Sequence, residues 1–245
     1  MNKKKVVARY SKCPKCGKLT MPDGRKDLEM CPDCMKKAGI YDSAPDTEAH
    51  QQRVGVLMAY LAGALFARIE LHDFCKLHPP EKAIFDKFTP KLKDATYGSD
   101  EYKGFLKEMK VALDHHYEAS PHHPEHFNRL MWWCEKCGSE WSDADLPGPE
   151  EDRTLCTVCA GSGESSELTS YYSVMDMTMI DLIEMLADWK AASERHADGD
   201  IEESLKKNGK RFHIPPALMQ ILRNTLTAML KVDKEEPELK GKENG

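Results

Sequence analysis

The chain has 245 residues and a net charge of −6, with 40% hydrophobic and 31% charged residues. This balance is typical of a soluble globular protein that is large enough for one sizeable domain with small attachments. Its longest apolar run, residues 54–67, is shorter than the roughly 20 residues that a bilayer span needs, and the basic N-terminus lacks the apolar stretch of a secretory signal. We therefore expect a cytoplasmic protein with no membrane partner.

Eight of the nine cysteines form four CxxC pairs, which indicate zinc rather than disulfides in a cytoplasmic chain. In residues 1–40, CPKC and CPDC are separated by fourteen residues and supply Cys13, Cys16, Cys31 and Cys34. Four thiolates close a tetrahedral zinc site without an open position, so we predict a structural zinc ribbon here. It carries eleven Lys and Arg against four Asp and Glu, which favours contact with phosphate, nucleic acid or an acidic surface, or is simply a solvated basic face.

The first long helix is predicted from Asp46 or Thr47, either of which can cap it, through a run of apolar residues with helical spacing to Phe74. It ends in HDFCK, where His72 and Asp73 offer an imidazole and a carboxylate side by side. That combination suits a divalent metal with hydrolytic chemistry.

His50 lies on the same predicted helix, 22 residues before His72. In a straight helix the two would be roughly 33 Å apart. A shared site would need a break between them, for which Gly55 and Gly63 are the candidates.

A short helix over residues 81–88 and another from Ser99 to about His116 are predicted next. The latter runs into HHYEASPHHPEH, which holds five of the ten histidines in the chain. This density predicts a metal site that uses one or both histidines of each doublet, His115 or His116 and His122 or His123. The alternative is a loop of partly exposed histidines without a ligand.

The second ribbon, residues 132–170, contains CEKC and CTVC separated by eighteen residues, with Cys134, Cys137, Cys156 and Cys159 as zinc ligands. It carries two basic and nine acidic residues, so it is a poor nucleic-acid binder and a better lid or protein contact. We predict that it is inserted into the helical domain and separates two parts of one site.

A third long helix, residues 174–197, contains DLIEMLADWKA, in which Asp181, Glu184 and Asp188 share one face. Carboxylates on a face that also carries apolar residues require cations or metal, or else form a solvated stripe paired with Lys190 and Arg195. A fourth helix is predicted over residues 217–231, with Leu218, Ile221, Leu222, Leu226 and Leu230 facing inward. Residues 232–245 are predicted to be a disordered tail.

The ordered set of His50, the His72-Asp73 doublet followed by Lys76, the histidine cluster and Asp188 resembles the HD-domain metal-dependent phosphohydrolases. HDFCK, HHPEH and DLIEMLADWKA also resemble a little-characterised family of phage and bacterial proteins with an HD-like domain. The resemblance covers about residues 46–131 and 172–226. No run of alternating β-branched residues competes with the helical patterns, so we predict an all-α, HD-like domain over residues 41–131 and 171–231.

The resemblance also implies that His50, His72, Asp73 and Asp188 bind a metal, and that the histidine doublets serve a second ion. One or two catalytic ions of Mn, Fe, Co, Ni or Zn would join the two structural zincs. Glu125, Glu184 and Lys76 are the candidate catalytic residues, and Arg53, Arg68, Arg129 and Lys190 the candidate phosphate-binding residues.

We therefore predict a metal-dependent phosphohydrolase acting on a nucleotide or another phosphate ester. The competing hypothesis is a non-enzymatic zinc-ribbon adaptor that binds nucleic acid or protein. The sequence leaves homo-oligomer formation open.

Overall fold

The computed structural model describes residues 11–13, 15–20, 30, 32–39, 41, 43–96, 99–146, 155–161, 163, 166–194 and 199–235. The chain divides into two compact units, Met1–Ala62 and Gly63–Gly245. The structure is 66% helical and contains a small three-stranded sheet. The prediction of a mostly helical protein is confirmed, whereas the assignment to the HD fold stays a prediction.

The first unit contains a two-stranded antiparallel ribbon, β1 (Ser11–Lys12) and β2 (Leu19–Thr20), followed by α1 (Pro32–Lys37). The long helix α2 (Ala44–Leu71) begins in this unit and ends in the second. It starts within two residues of the predicted cap and ends three residues before Phe74. The last described helix continues to Glu235, so the first four residues of the predicted disordered tail are helical, and residues 236–245 lie outside the described part.

Helix α2 is unbroken, and both Gly55 and Gly63 have helical geometry. The break on which a site shared by His50 and His72 depends is therefore not present. Its apolar residues lie on all sides, and none of its residues, all of which are described, is buried. The segment Ala44–Leu77 is long and apolar enough to cross a membrane by length and composition. One such helix is weak evidence for a membrane span, because only its length and composition meet the criterion.

The second unit continues with a 3₁₀ turn (Phe74–Leu77) and with α3 (Glu81–Asp94), α4 (Asp100–Glu108) and α5 (Lys110–Ala119). The predicted single helix after Ser99 is therefore two helices that meet at Met109. Ser99 is the N-cap of α4, since its side chain accepts a hydrogen bond from the Tyr102 amide. A second 3₁₀ turn (Pro124–Phe127) closes the histidine-rich loop.

The inserted ribbon is built on a three-stranded antiparallel sheet with the order β4-β3-β5. Its strands are β3 (Leu130–Cys134), β4 (Glu140–Ser142) and β5 (Leu168–Tyr172), and the short helix α6 (Thr157–Gly161) lies between β4 and β5. The first and last strands extend two residues beyond the predicted ribbon on each side. Residues 147–154 of this ribbon lie outside the described part.

Three helices complete the chain: α7 (Met179–Ser193), α8 (Ile201–Arg211) and α9 (Pro216–Glu235). They enclose the main hydrophobic core, whose central residues are Met185, Leu186 and Leu205. Helix α7 starts five residues later than predicted, at a Thr178 capping box with Asp181. Helix α8 was not predicted, and Ile221, expected in the core, is 48% exposed.

Candidate metal centre

The four cysteines of the inserted ribbon come together as the spacing predicts. Their sulfurs lie mutually within 4.8 Å, with 3.8 Å between Cys134 and Cys159 and 3.6 Å between Cys137 and Cys156. A tetrahedral zinc with bonds of about 2.3 Å requires sulfur separations of about 3.8 Å. Gly138 adopts a φ of +71°, which lets its amide turn back and donate to the Cys134 carbonyl. This cluster is a plausible zinc site.

In the first unit, Cys13, Cys16 and Cys34 form a matching cluster. The Gly17 amide donates to the Cys13 carbonyl at 2.8 Å, and Gly17 has a φ of +72°, so the turn repeats that of the inserted ribbon. The predicted fourth ligand, Cys31, lies outside the described residues. This group is also a plausible zinc site.

The second unit contains a separate cluster of imidazoles and carboxylates, assembled from the end of α2, α5, the histidine-rich loop and α7. His72 Nε2 lies 3.7 Å from Asp73 Oδ2 and 3.6 Å from Asp188 Oδ1. The carboxylates of Asp73 and Asp188, which are 115 positions apart in the sequence, therefore flank one ring nitrogen. The resemblance predicted this pairing, and no local sequence pattern requires it.

Asp73 also links this arrangement to the histidine-rich loop. Its Oδ1 lies 3.5 Å from His116 Nε2 and 3.7 Å from His122 Nε2. His123 Nε2 lies 3.0 Å from His116 Nε2. Two overlapping groups in the centre can each surround one ion: His72, Asp73 and His122, and His116, His122 and His123. A third group with ligand atoms equally close together, Cys75, Glu81 and His116, lies on the Nδ1 side of His116.

Two atoms in the middle of this cluster have no hydrogen-bond partner. Both Asp73 Oδ1 and His122 Nε2 are buried and unpaired in the described structure. Leaving such groups without a partner is costly, and a divalent cation would satisfy both. Asp73 has a φ of +57°, in the left-handed region that only a small share of non-glycine residues adopt, and strained residues of this kind cluster at functional sites.

Glu184 lies behind two of the histidines rather than in the centre. Its Oε1 is 3.0 Å from His72 Nδ1 and 3.2 Å from His122 Nδ1, and its Oε2 accepts a hydrogen bond from Arg68. Burial alone would raise the pKa of Glu184, but its hydrogen bonds to His122 and His72 lower it to about 2. A carboxylate this acidic is a poor proton donor near neutral pH, so the geometry favours a supporting role over the predicted acid/base role.

Glu81, at the start of α3, was not identified from the sequence. It is fully buried, its Oε1 is 2.7 Å from His115 Nδ1, and its Oε2 is 3.2 Å from His116 Nδ1. A glutamate in the first turn of a helix has an obvious local role at the helix dipole, so its type and position gave no signal of a link to histidines 34 residues away.

Burial and nearby charges shift the pKa values of His72 and His116 in opposite directions. Contact with Asp188, followed by the hydrogen bond to Glu184, raises the pKa of His72 to about 10. Burial, followed by the charge of Lys76, lowers the pKa of His116 to about 4. In the metal-free cluster, a protonated His72 therefore supplies positive charge among the carboxylates, while His116 stays neutral, as a metal ligand must be.

The remaining predicted site residues fall into three groups. Lys76 and Arg68 adjoin the cluster: Lys76 donates to Asp73 Oδ2 at 2.7 Å, and Arg68 donates to Asp181 at 2.6 Å. Away from it, three predicted residues make ion pairs of their own: Arg129 with Asp176, Lys190 with Glu194, and Glu125 with Arg211. His50 and Arg53 lie on the exposed part of α2 in the first unit, outside this cluster.

A cavity of about 200 Å³ opens beside the cluster. Its lining includes Asp73 and His122 from the cluster, Arg68 and Glu184 behind it, and Cys75. A small charged group can therefore reach Asp73 and His122 from solvent. The four-cysteine cluster differs, since three of its four cysteines are buried.

Comparison with known sequences identifies a family but no activity. Residues 39–228 match the family of unknown function DUF5662. No curated protein and no solved structure matches the chain. The matched range includes α2, the whole His/Asp cluster and the inserted ribbon, so the site described above lies within the family's own region. On this match the chain belongs to the DUF5662 family.

Proposed function

We propose that this protein is a metal-dependent phosphohydrolase that acts on a nucleotide or another phosphate ester. One observation carries the proposal: ring nitrogens of His72, His116, His122 and His123 converge with Asp73 and Asp188 around buried atoms that have no hydrogen-bond partner. Buried polar atoms in proteins are normally hydrogen-bonded, and a cation bound among these residues would satisfy them.

The donor set suits Mn, Fe, Co, Ni or Zn, because imidazole nitrogens and carboxylate oxygens are combined. His72, Asp73 and Asp188 would hold one ion, and His116, His122 and His123 a second, with Asp73 between them. Such ions, when bound, lower the pKa of water and polarise a phosphoryl oxygen.

The residues around the cluster orient it and attract substrate. Glu184 holds the Nδ1 sides of His72 and His122, so that both Nε2 atoms are directed toward Asp73. Lys76 places a positive charge beside Asp73, where it would attract an anionic phosphate. Arg68 balances the charge of Asp181 and Glu184 and lines the same cavity.

We also propose a structural zinc ion for each cysteine cluster. Both clusters have the glycine-assisted turn of a zinc knuckle, and in the inserted ribbon all four described thiols face one point. These zincs would stabilise the ribbons and take no part in hydrolysis.

The test is hydrolysis of a panel of nucleoside mono-, di- and triphosphates and a generic phosphate monoester and diester, each with added Mn²⁺, Co²⁺ or Ni²⁺. We expect metal-dependent phosphate release from at least one substrate class, and its loss in Asp188→Asn. Asp86→Asn is the matched control, since Asp86 is an exposed carboxylate paired only with Lys82 in the described structure. Binding of Mn²⁺ without hydrolysis of any phosphate ester would contradict the proposal.

The second candidate, a nucleic-acid-binding adaptor, is favoured by the first ribbon alone. Residues 1–40 carry eleven basic and four acidic residues. Binding to nucleic acid through these charges would weaken steeply as salt rises and would be lost on deletion of residues 1–40. Hydrolysis of a small nucleotide would survive that deletion if the two functions are separate.

A further inference from the structure

We infer that Glu81 is a positioning residue that controls one of the two proposed ions and not the other, acting through His116. This inference rests on the proposed function. It concerns a residue that contacts neither Asp73 nor Asp188 in the described structure and lies on the Nδ1 side of His116, beside Cys75.

Glu81 is fully buried, yet no Lys or Arg in the described part of the chain pairs with it. Its two oxygens face the Nδ1 atoms of adjacent histidines, His115 at 2.7 Å and His116 at 3.2 Å. A buried carboxylate is stable only when charge or hydrogen bonds compensate it. Glu81 Oε2 makes no complete hydrogen bond, so its interaction with His116 is available to strengthen when the ring becomes a ligand.

The neighbours of His116 Nδ1 show how the contact with Glu81 affects which ring nitrogen carries the proton. Cys75 Sγ and Ser120 Oγ lie 3.1 Å and 3.3 Å from Nδ1, but a thiol and a hydroxyl can each donate or accept. A carboxylate can only accept, so Glu81 Oε2, at 3.2 Å, favours the tautomer of His116 that carries its proton on Nδ1. The Nε2 lone pair of His116 is then free for a metal ion.

The contact between His116 and His123 is compatible with a proton on Nδ1 of His116. His116 Nε2 and His123 Nε2 are 3.0 Å apart, so one of them must carry a proton in the metal-free protein. Glu81 places the proton of His116 on Nδ1, and His123 therefore donates from Nε2. The Nε2 atoms of both rings face each other, so a metal ion could bind both once His123 loses that proton.

Glu81 and Glu184 contact different members of the two candidate groups. Glu184 contacts His72, which belongs to one candidate group, and His122, which belongs to both. Glu81 contacts a single member of the ligand cluster, His116, which belongs only to the group with His122 and His123. Loss of Glu81 should therefore weaken one ion, whereas loss of Glu184 should weaken both.

The experiment compares Mn²⁺ and Co²⁺ binding to the full-length zinc-loaded protein with binding to Glu81→Gln, Glu81→Asp and Glu184→Gln. We expect Glu81→Gln to bind one ion with unchanged affinity and the other about 10- to 100-fold more weakly, which is the usual effect of losing a carboxylate behind a ligand histidine. Glu81→Asp should restore part of the loss, and Glu184→Gln should weaken both ions. Equal binding of two ions by Glu81→Gln and wild type would overturn the inference.

A second measurement is independent of the variants. Long-range ¹H–¹⁵N NMR of the protein with an ion-free His/Asp centre should show His116 protonated at Nδ1, and a proton on Nε2 instead would overturn the inference even if Glu81→Gln did not fold. The two proposals fail differently. A wild-type protein that binds no ion beyond the ribbon zincs contradicts the proposed function, whereas two bound ions insensitive to Glu81 contradict only its positioning role.

Discussion

The inserted ribbon and the His/Asp cluster lie in the same unit of the chain and are built on opposite principles. In the ribbon, the two cysteines of each CxxC pair are three residues apart. The turn at Gly138 orients the first pair through local backbone contacts alone. In the cluster, the ligands come from four separate segments, and buried carboxylates behind the rings aim them. A local site tolerates little change of spacing, whereas a dispersed site depends on the whole fold.

This difference predicts the largest effect for Asp73, a carboxylate that faces members of both histidine groups. Asp73→Ala removes a carboxylate that faces His72, His116 and His122, so it should release both proposed ions and reduce hydrolysis on the order of 10³-fold or more. Phosphate release and elemental analysis measure the two effects. The ribbon zincs should remain, and retention of full activity by the variant would refute the role of Asp73.

The reverse experiment targets the ribbon. Cys156→Ser should remove one zinc per chain and reduce hydrogen-exchange protection of β3 and β4, because the metal supplies much of the folding free energy of a small ribbon. The His/Asp centre should still bind Mn²⁺ with an affinity within a few-fold of wild type. If Mn²⁺ binding is lost together with the ribbon zinc, the two sites are not independent.

A smaller effect is expected from charge within the cluster when its ions are absent. His72 has a pKa of about 10 in the folded protein, above its ordinary value of 6.5, so its stabilising contribution is complete below pH 6.5 and is lost as the pH rises through 10. Asp188→Asn removes the main cause of the shift. It should destabilise the protein by roughly 1–2 kcal/mol between pH 5 and 6.5.

The same comparison at pH 10.5 should give a much smaller difference between wild type and Asp188→Asn, because His72 is then mostly neutral in both. Chemical denaturation at the two pH values measures this. A difference that grows toward high pH would contradict the assignment of a protonated His72.

The smallest effect is expected at Cys75, the one cysteine outside the ribbons. Its sulfur lies 3.1 Å from His116 Nδ1, on the side of the ring away from Asp73, and burial raises the pKa of its thiol, which disfavours the thiolate that binds metal. Cys75→Ser should therefore leave the number of bound ions unchanged. A decrease by one ion would show that Cys75 is a ligand.

The contrast between local and dispersed ligands also explains how much of each site the sequence predicts. The spacing of Cys134, Cys137, Cys156 and Cys159 predicts their cluster completely, because CxxC turns are local. For Asp73 and Asp188, helical periodicity predicts a helix around each residue but says nothing of the distance between them. Only the resemblance predicted that both belong to one site. Glu81 could not be predicted, because its link to His116 depends on how α3 packs against α5.

Local rules also explain the errors in the helices. The predicted helix after Ser99 is interrupted at Met109, a fully buried residue where tertiary packing overrides a continuous helical pattern. Helix α8 was missed because its charged sequence, IEESLKKNGKR, has few apolar residues, and a single buried side chain, Leu205, anchors it. His50 was included by resemblance, and the break in α2 on which its shared site with His72 depends is not present.

The most direct test of a His/Asp metal centre is a metal count by elemental analysis of the full-length protein, purified with zinc and then equilibrated with Mn²⁺. We predict two zinc ions per chain, held by the cysteine clusters, together with one or two manganese ions that disappear in Asp188→Asn. Two zinc ions and no manganese in the wild-type protein would contradict the account.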